Sequence, residues 1–552
     1  MEVKPIIYQV LPRLFGNTNP SCVPGGTLQQ NGCGKFEDFT NETLSRLKSL
    51  GVTHIWFTGV IRHATCTPFE SCGIGANHPD IVKGEAGSPY AITDYFDVAP
   101  SLANDPMNRM KEFEELVIRC KNLSLKVIID FVPNHLSREY NPVNTNRERL
   151  CFGENDKADY HFHPMNNYYY LPGTTFVSPV KSSNIKPYVE NPARVTGNDC
   201  FKPNPSKDDW YETVKLNYGV DYSGGNLVYF QPIPDTWFKM KDVLLFWMEK
   251  GVSGLRCDMA AMVPQEFWSW IIPIVKDSFP GTIFIGEIYE PHLYDSFLQK
   301  CGFDYLYDKV GLYDTIKDIT LGKKGCREIT LRWQSLGALE DRMVNFLENH
   351  DEVRVASHHF ASDPLGALPA LAVSLLLNRS PFLLYFGQEL GERGEDCEGF
   401  SRQDGKTSIF DYWSLESVRK WLNGEEEPKV RSIYRTLLNL AITEDAFFNG
   451  DKFDLNYANE HNPFYNVYNN FSFTRKGVDA LFVIFAGFGK QEYRVNLVLP
   501  DEMFVYHSIE PGIICQASDI MTGEKFEIML DPSGTTELGT TTHCIKIIKV
   551  QL

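Results

Sequence analysis

Asp130-Phe-Val-Pro-Asn134-His135, Gly254-Leu-Arg256-Cys-Asp258, Gly286-Glu287-Ile-Tyr289 and Glu348-Asn-His350-Asp351 each close an apolar run rich in β-branched and aromatic residues. Such runs read as strands buried on both faces. Eight can be counted: Ile6–Phe15, Thr53–Val60, Lys126–Val132, Gly254–Met259, Thr282–Ile288, Phe303–Tyr307, Met343–Leu347 and Pro381–Phe386. The four quoted segments end the third, fourth, fifth and seventh. Helical patterns lie between the runs, as in Phe36–Leu50, Met107–Leu123 and Trp237–Lys250. Strands alternating with helices imply parallel βαβ units, and eight such units imply a closed (β/α)8 barrel. Chemistry in that architecture sits at the C-terminal ends of the strands, where these segments fall.

Outward from the barrel, two regions break the pattern. Residues 136–218 carry little helical period and are rich in Asn, Pro and Tyr, as in Asn166-Asn-Tyr-Tyr-Tyr170. An irregular stretch of that length is read as an inserted domain leaning over the barrel mouth. From residue 456 the pattern turns to short alternating runs: Ser472–Thr474, Ala480–Ala486, Tyr493–Leu499, Ile513–Ile514 and His543–Val550. These predict a C-terminal antiparallel β-sandwich over 456–552. Residues 1–135 and 219–455 then form the barrel. The polar, aromatic loop Asp396–Asp404 followed by Phe410–Trp413 is expected to shape the cleft.

The whole chain narrows the partners. Its 552 residues carry a formal net charge of −18, which argues against nucleic acid and anionic membrane as main partners. Aromatics are 13% of residues, a composition that suits sugar faces and cores alike. No apolar run reaches transmembrane length. The thirteen cysteines show neither CxxC pairs nor zinc spacing, and free thiols are expected. Met1-Glu-Val-Lys-Pro lacks the form of a signal peptide. The expectation is a cytoplasmic protein, or a periplasmic or secreted one if a leader has been removed. Oligomeric state is left open.

The carboxylates suggest acid–base chemistry. Cleaving a glycosidic bond with retention takes one ionised nucleophile and one carboxylic acid. Arg256 precedes Asp258 by two residues and so shares its face of the strand. It is expected to hold Asp258 ionised. Glu287 lies between apolar neighbours, and desolvation there is expected to favour its acid form. Taken singly, a strand-end Asp is more often a helix cap and a strand-end His a satisfied polar residue. Four such segments on four strands are harder to explain that way.

The four segments resemble, in order and in strand, the signature regions of the α-amylase family of glycoside hydrolases. Tyr90-Ala-Ile-Thr-Asp94 and Tyr385-Phe-Gly-Gln-Glu389 add to the resemblance, which covers residues 1 to about 440. It implies Asp258 as nucleophile, Glu287 as acid/base, and Asp351 as a ligand of the sugar's 2- and 3-hydroxyls. Arg256 would orient Asp258, His135 and His350 would bond the sugar, and Tyr90 would stack beneath it. Asp130 and Arg354 would support the site. The implied activity is retaining hydrolysis of α-1,4-glucosidic bonds in starch-derived glucans or maltooligosaccharides. A transglycosylase or isomerising enzyme on the same site is the rival, and a non-catalytic carbohydrate-binding protein the third reading.

No cofactor is required for that chemistry. Many family members bind a structural calcium ion, and here the sequence departs from them. Ala261 and Met262 stand where a Lys-His pair is usual, and Lys215 where a calcium-binding Asp is usual, although Asn134 is retained. A second calcium candidate is the loop with Asn17 and Asn19, whose amide oxygens suit a hard cation. An Asn/Gly/Pro loop is more often a plain turn, and that reading is preferred.

Overall fold

The computed structural model describes residues 3–143, 151–183, 185–400 and 403–552. Eight parallel strands close into a barrel: β1 (Ile6–Val10), β2 (His54–Phe57), β3 (Lys126–Phe131), β4 (Gly254–Cys257), β5 (Ile283–Gly286), β6 (Tyr305–Tyr307), β7 (Met343–Phe346) and β8 (Phe382–Tyr385). Each strand pairs with its neighbours in sequence, and β1 closes the ring against β8 from Ile6↔Phe382 to Gln9↔Tyr385. Burial on both faces explains the unbroken apolar runs: all five residues of β1 are buried, and all four of β8.

The first run is two elements rather than one. β1 stops at Val10, and Pro12–Phe15 form a short helix with proline at its start. Pro12 fixes φ at a helical value and has no N–H to leave unpaired there. The helix expected over Phe36–Leu50 begins at Asn41, where the Thr40 hydroxyl caps the Thr43 N–H. Helices Arg109–Asn122 and Asp235–Glu249 meet each other through Phe113 and Trp247, whose rings lie 5.6 Å apart edge to face.

The inserted stretch follows β3 and holds only short strand pairs. His135–Ser137 pairs with Thr213–Lys215, and Tyr170–Leu171 with Ala193–Arg194. Buried Arg138 ties these pieces together beside the small apolar cluster of Ile81, Phe176 and Ala193. It binds Glu190 at 2.7 Å, donates to the Tyr211 carbonyl at 2.6 Å and to Thr196 Oγ1 at 2.8 Å, and lies 3.7 Å from the Phe176 ring centroid. A second excursion follows β2, where Ile61–His63 pairs with Ile92–Val98 and carries Tyr90 toward the mouth.

The C-terminal antiparallel unit begins with β9 (Asp451–Asp454), ahead of the expected start at 456. It continues through β10 (Asn470–Lys476), β11 (Ala480–Gly487), β12 (Arg494–Val498), β13 (Ile513–Asp519), β14 (Lys525–Leu530), β15 (Thr535–Thr540) and β16 (Ile545–Gln551). One sheet runs β9-β10-β11-β16-β13-β14, and β12 pairs with β15. Leu481, Val483 and Phe485 of β11 meet Val495, Leu497 and Leu538 in the core between them. The alternate β11 residues Phe482, Ile484 and Ala486 join the barrel's core instead. Both faces of β11 are buried, so its sequence is continuously apolar. Strands β14 and β15 and the helix Asp501–His507 were not read from the sequence, because half of each strand faces solvent.

Candidate active site

All three carboxylates sit at the C-terminal ends of barrel strands around a cavity of about 350 Å³. Tyr90, His135, Asp258, Glu287, His350 and Asp351 all line it. Lys83, Ser88, Trp210, Glu212, Thr213, Met259, Tyr289, Ile409 and Phe410 complete the walls. The loop after β8 thus contributes Ile409 and Phe410 to the cavity; Ser401 and Arg402 of its first half lie outside the described residues.

Arg256 is the hub. Its side chain is 1% exposed. Nη1 donates to Asp258 Oδ1 at 2.7 Å and to Asp130 Oδ1 at 3.4 Å, while Nη2 pairs with Glu287 Oε2 at 2.6 Å. Parallel register explains this: Asp130, Arg256 and Ile285 lie side by side on β3, β4 and β5. Glu287 is two residues past Ile285, on the same face.

One expectation from the sequence is extended here and one corrected. Glu287 is buried, as expected, yet it is not left without polar partners. It also accepts the Met259 N–H at 2.9 Å and the Tyr289 hydroxyl at 2.5 Å. Nor does Arg256 serve Asp258 alone. Burial, the largest influence, pushes the Asp258 carboxyl well above the ordinary aspartate range. Arg256 opposes that shift, and Glu287, Asp130 and Asp351 add to it. Burial likewise raises Asp130, against Arg256 and His350. One guanidinium therefore faces three buried carboxyl groups, and its pull on Asp258 and Asp130 is outweighed by their burial. Asp351 goes the other way. Its burial would raise it, but His350 and Arg256 outweigh that and bring it to about 2.

The histidines are held in defined orientations. Gln9 Nε2 donates to His350 Nδ1 at 2.8 Å, which leaves the proton of a neutral ring on Nε2. That nitrogen faces the Tyr90 hydroxyl at 2.6 Å and Asp351 Oδ2 at 3.0 Å. The Tyr90 and His350 rings stack 5.4 Å apart. Asn134 Nδ2 faces His135 Nδ1 at 3.2 Å, and Trp210 lies 5.1 Å from the His135 ring. Burial, then Lys215, lowers His135 to about 3 and keeps it neutral. Asp130 takes a further bond from Trp56 Nε1 at 3.1 Å. Arg354 binds Glu348 at 3.2 Å and the Phe386 carbonyl at 2.7 Å, bracing the loop rather than lining the cavity.

Gln9, Trp56, Met259, Tyr289 and Trp210 were missed from sequence. Gln9 carried the one usable signal, a polar residue inside a buried strand.

Asn17 and Asn19 are engaged in turns of their own loop. Their side-chain oxygens accept the Asn19 and Ser21 N–H groups at 3.1 and 2.8 Å, a pair of Asx turns. Among the described residues no three His, Cys, Asp or Glu side chains gather as metal ligands. All thirteen cysteines are unpaired, and among the described residues no helix is long and apolar enough to cross a membrane.

Residues 9–270 match the family model of the alpha-amylase catalytic domain. The chain is 25% identical over 392 residues to "Alpha-amylase 3" of Dictyoglomus thermophilum, covering 65% of this chain and 68% of that one. It is 22% identical over 449 residues to "Neopullulanase 2" of Thermoactinomyces vulgaris, covering 77% and 64%. It thus spans about two thirds of the length of these relatives. The α-amylase of Geobacillus thermoleovorans, solved in complex with acarbose, superposes with a TM-score of 0.64 at 18% identity, over 100% of this chain and 98% of the other. With the closed barrel and the carboxylates at its strand ends, these matches support an α-amylase family glycoside hydrolase.

Proposed function

We propose that this chain hydrolyses α-1,4-glucosidic bonds of starch-derived glucans or maltooligosaccharides with retention, through a covalent glycosyl-enzyme. The observation that carries this reading is the Arg256 guanidinium joined at once to Asp258 and Glu287. Two carboxyls held by one guanidinium lie close together, as a retaining pair with a separation of about 5–5.5 Å requires.

In this reading Asp258 attacks the anomeric carbon while Glu287 gives its proton to the departing glycosidic oxygen. Glu287 then takes a proton from water, which releases the sugar from Asp258. Asp351, low-lying and beside His350, stays anionic and accepts sugar hydroxyls while opposing the charge of the oxocarbenium-like transition state. His135 and His350 offer N–H groups to the same sugar. Tyr90, with its hydroxyl on His350, presents a ring for the sugar face. Asp258 must be ionised to attack, and the Arg256 guanidinium on its Oδ1 is the group that favours that form.

The test is product analysis on maltoheptaose with the native chain and Asp258→Asn. Shorter maltooligosaccharides from the native chain are expected, with a rate loss of about 10³-fold or more in the variant. Products longer than the substrate would overturn plain hydrolysis in favour of transglycosylation. An unchanged rate in the variant would remove Asp258 from the mechanism.

A further inference from the structure

The family resemblance brings with it a calcium ion between the end of the third barrel strand and the inserted segment. The residues here do not fit one. Lys215 enters that place on the strand Thr213–Lys215 and its side chain is 1% exposed. Its ammonium lies 2.9 Å from Asn134 Oδ1 and 2.6 Å from Asp199 Oδ1. The Tyr222 ring is 5.3 Å away on another side. A calcium ion takes six to eight oxygen ligands at about 2.3–2.6 Å. The two side-chain oxygens that could begin such a shell already bind a cation. A second cation on the same oxygens would be repelled strongly at this burial.

The three partners belong to different parts of the chain. Asn134 follows β3 and adjoins His135 in the cavity wall. Asp199 sits in the insertion, at a left-handed φ of 62°. Lys215 closes the insertion and pairs with His135 across the short sheet. The Asn134 side chain is held at both ends, since its Nδ2 also donates to the Gly197 carbonyl at 2.8 Å. Its orientation sets the donor that faces His135 Nδ1.

We propose that the Lys215 ammonium is a built-in replacement for the divalent cation. It ties the insertion to the barrel through Asp199 and Asn134 and so fixes His135, and the chain needs no calcium at this point. Lys215 is a positioning residue; it touches no substrate. The advantage over a metal is permanence. A covalently attached cation cannot be chelated or diluted away, and it works with two oxygens where calcium needs six.

The experiment compares thermal unfolding and metal content of the native chain, Lys215→Met and Lys215→Asp, each dialysed against EDTA and then given calcium chloride. The native chain is expected to carry no stoichiometric calcium and to melt at one temperature in both conditions. Lys215→Met should melt several degrees lower in both, because Asp199 and Asn134 lose their partner. Lys215→Asp should melt low in EDTA, recover in calcium and bind one calcium per chain.

A native Tm that falls in EDTA or rises in calcium would overturn the proposal. So would a Lys215→Met Tm equal to the native one, or a folded Lys215→Asp that gains nothing from calcium. If neither variant folds, the native measurement decides alone. A separate readout depends on the glucan-cleaving function proposed above: Lys215→Met should raise KM by roughly tenfold with a smaller change in kcat, through His135. The melting and metal measurements do not depend on that function.

Discussion

Replacing Arg256 by Met tests whether one buried guanidinium balances the site. The methionine keeps most of the stem's volume and removes the charge. Asp130, Asp258 and Glu287 would lose their contacts at 3.4, 2.7 and 2.6 Å. Breaking a buried ion pair from one side costs about 3–5 kcal/mol. The barrel and its insertion end near Asp451. At about 2.1 cal/mol/K per residue their unfolding entropy is roughly 1 kcal/mol/K, so Tm should drop by roughly 3–5 °C. The drop must also depend on pH. Asp258 and Asp130 already stand above the ordinary aspartate range when folded. A carboxyl raised on folding binds more protons in the native state, so stability falls as pH climbs from the unfolded value through the folded one. Without Arg256 both carboxyls rise further and this window widens. The variant should therefore lose more Tm at pH 8 than at pH 5, which differential scanning calorimetry at the two values would measure. An equal loss at both, or a greater loss at pH 5, would refute the idea that Arg256 acts by offsetting carboxylate charge.

Two further outcomes follow from buried polar groups at the same end of the barrel. Trp56→Phe removes the indole N–H from Asp130 and leaves that carboxylate oxygen without its donor. Chemical denaturation should show a loss of about 1–3 kcal/mol, and kcat should change little because Asp130 supports the site without reacting. Glu348 is fully buried and its carboxyl is raised to about 7, by burial against the pull of Arg354 and the Val355 N–H. Native stability should therefore fall as pH rises from the ordinary glutamate value through about 7. In Glu348→Gln that part of the Tm–pH slope should vanish, and a slope that survives would clear Glu348.

Individual strand ends were legible because burial on both faces writes itself as a continuous apolar run, and a carboxylate at its close stands out. Contacts between strands were not. Arg256 reaching Glu287 follows from the register that sets Arg256 beside Ile285, and register between parallel strands leaves no mark in either segment. Gln9 meets His350 only because β1 closes against β8, which brings the first strand next to β7's loop. The burial expected of Glu287 is there, but its donors were illegible for the same reason: they come from Arg256 on β4, from Met259 just past it and from Tyr289. Lys215 shows the limit most clearly. Its charge was visible as a departure from the family pattern, and incompatibility with calcium followed from elementary electrostatics. Its answering carboxylate was not, because Asp199 lies in a stretch with no periodicity to predict which way a side chain turns. A lone substituted lysine reads as a lost site; set against Asn134 and Asp199 it reads as an exchanged one, a cation supplied by the chain in place of a cation borrowed from solvent.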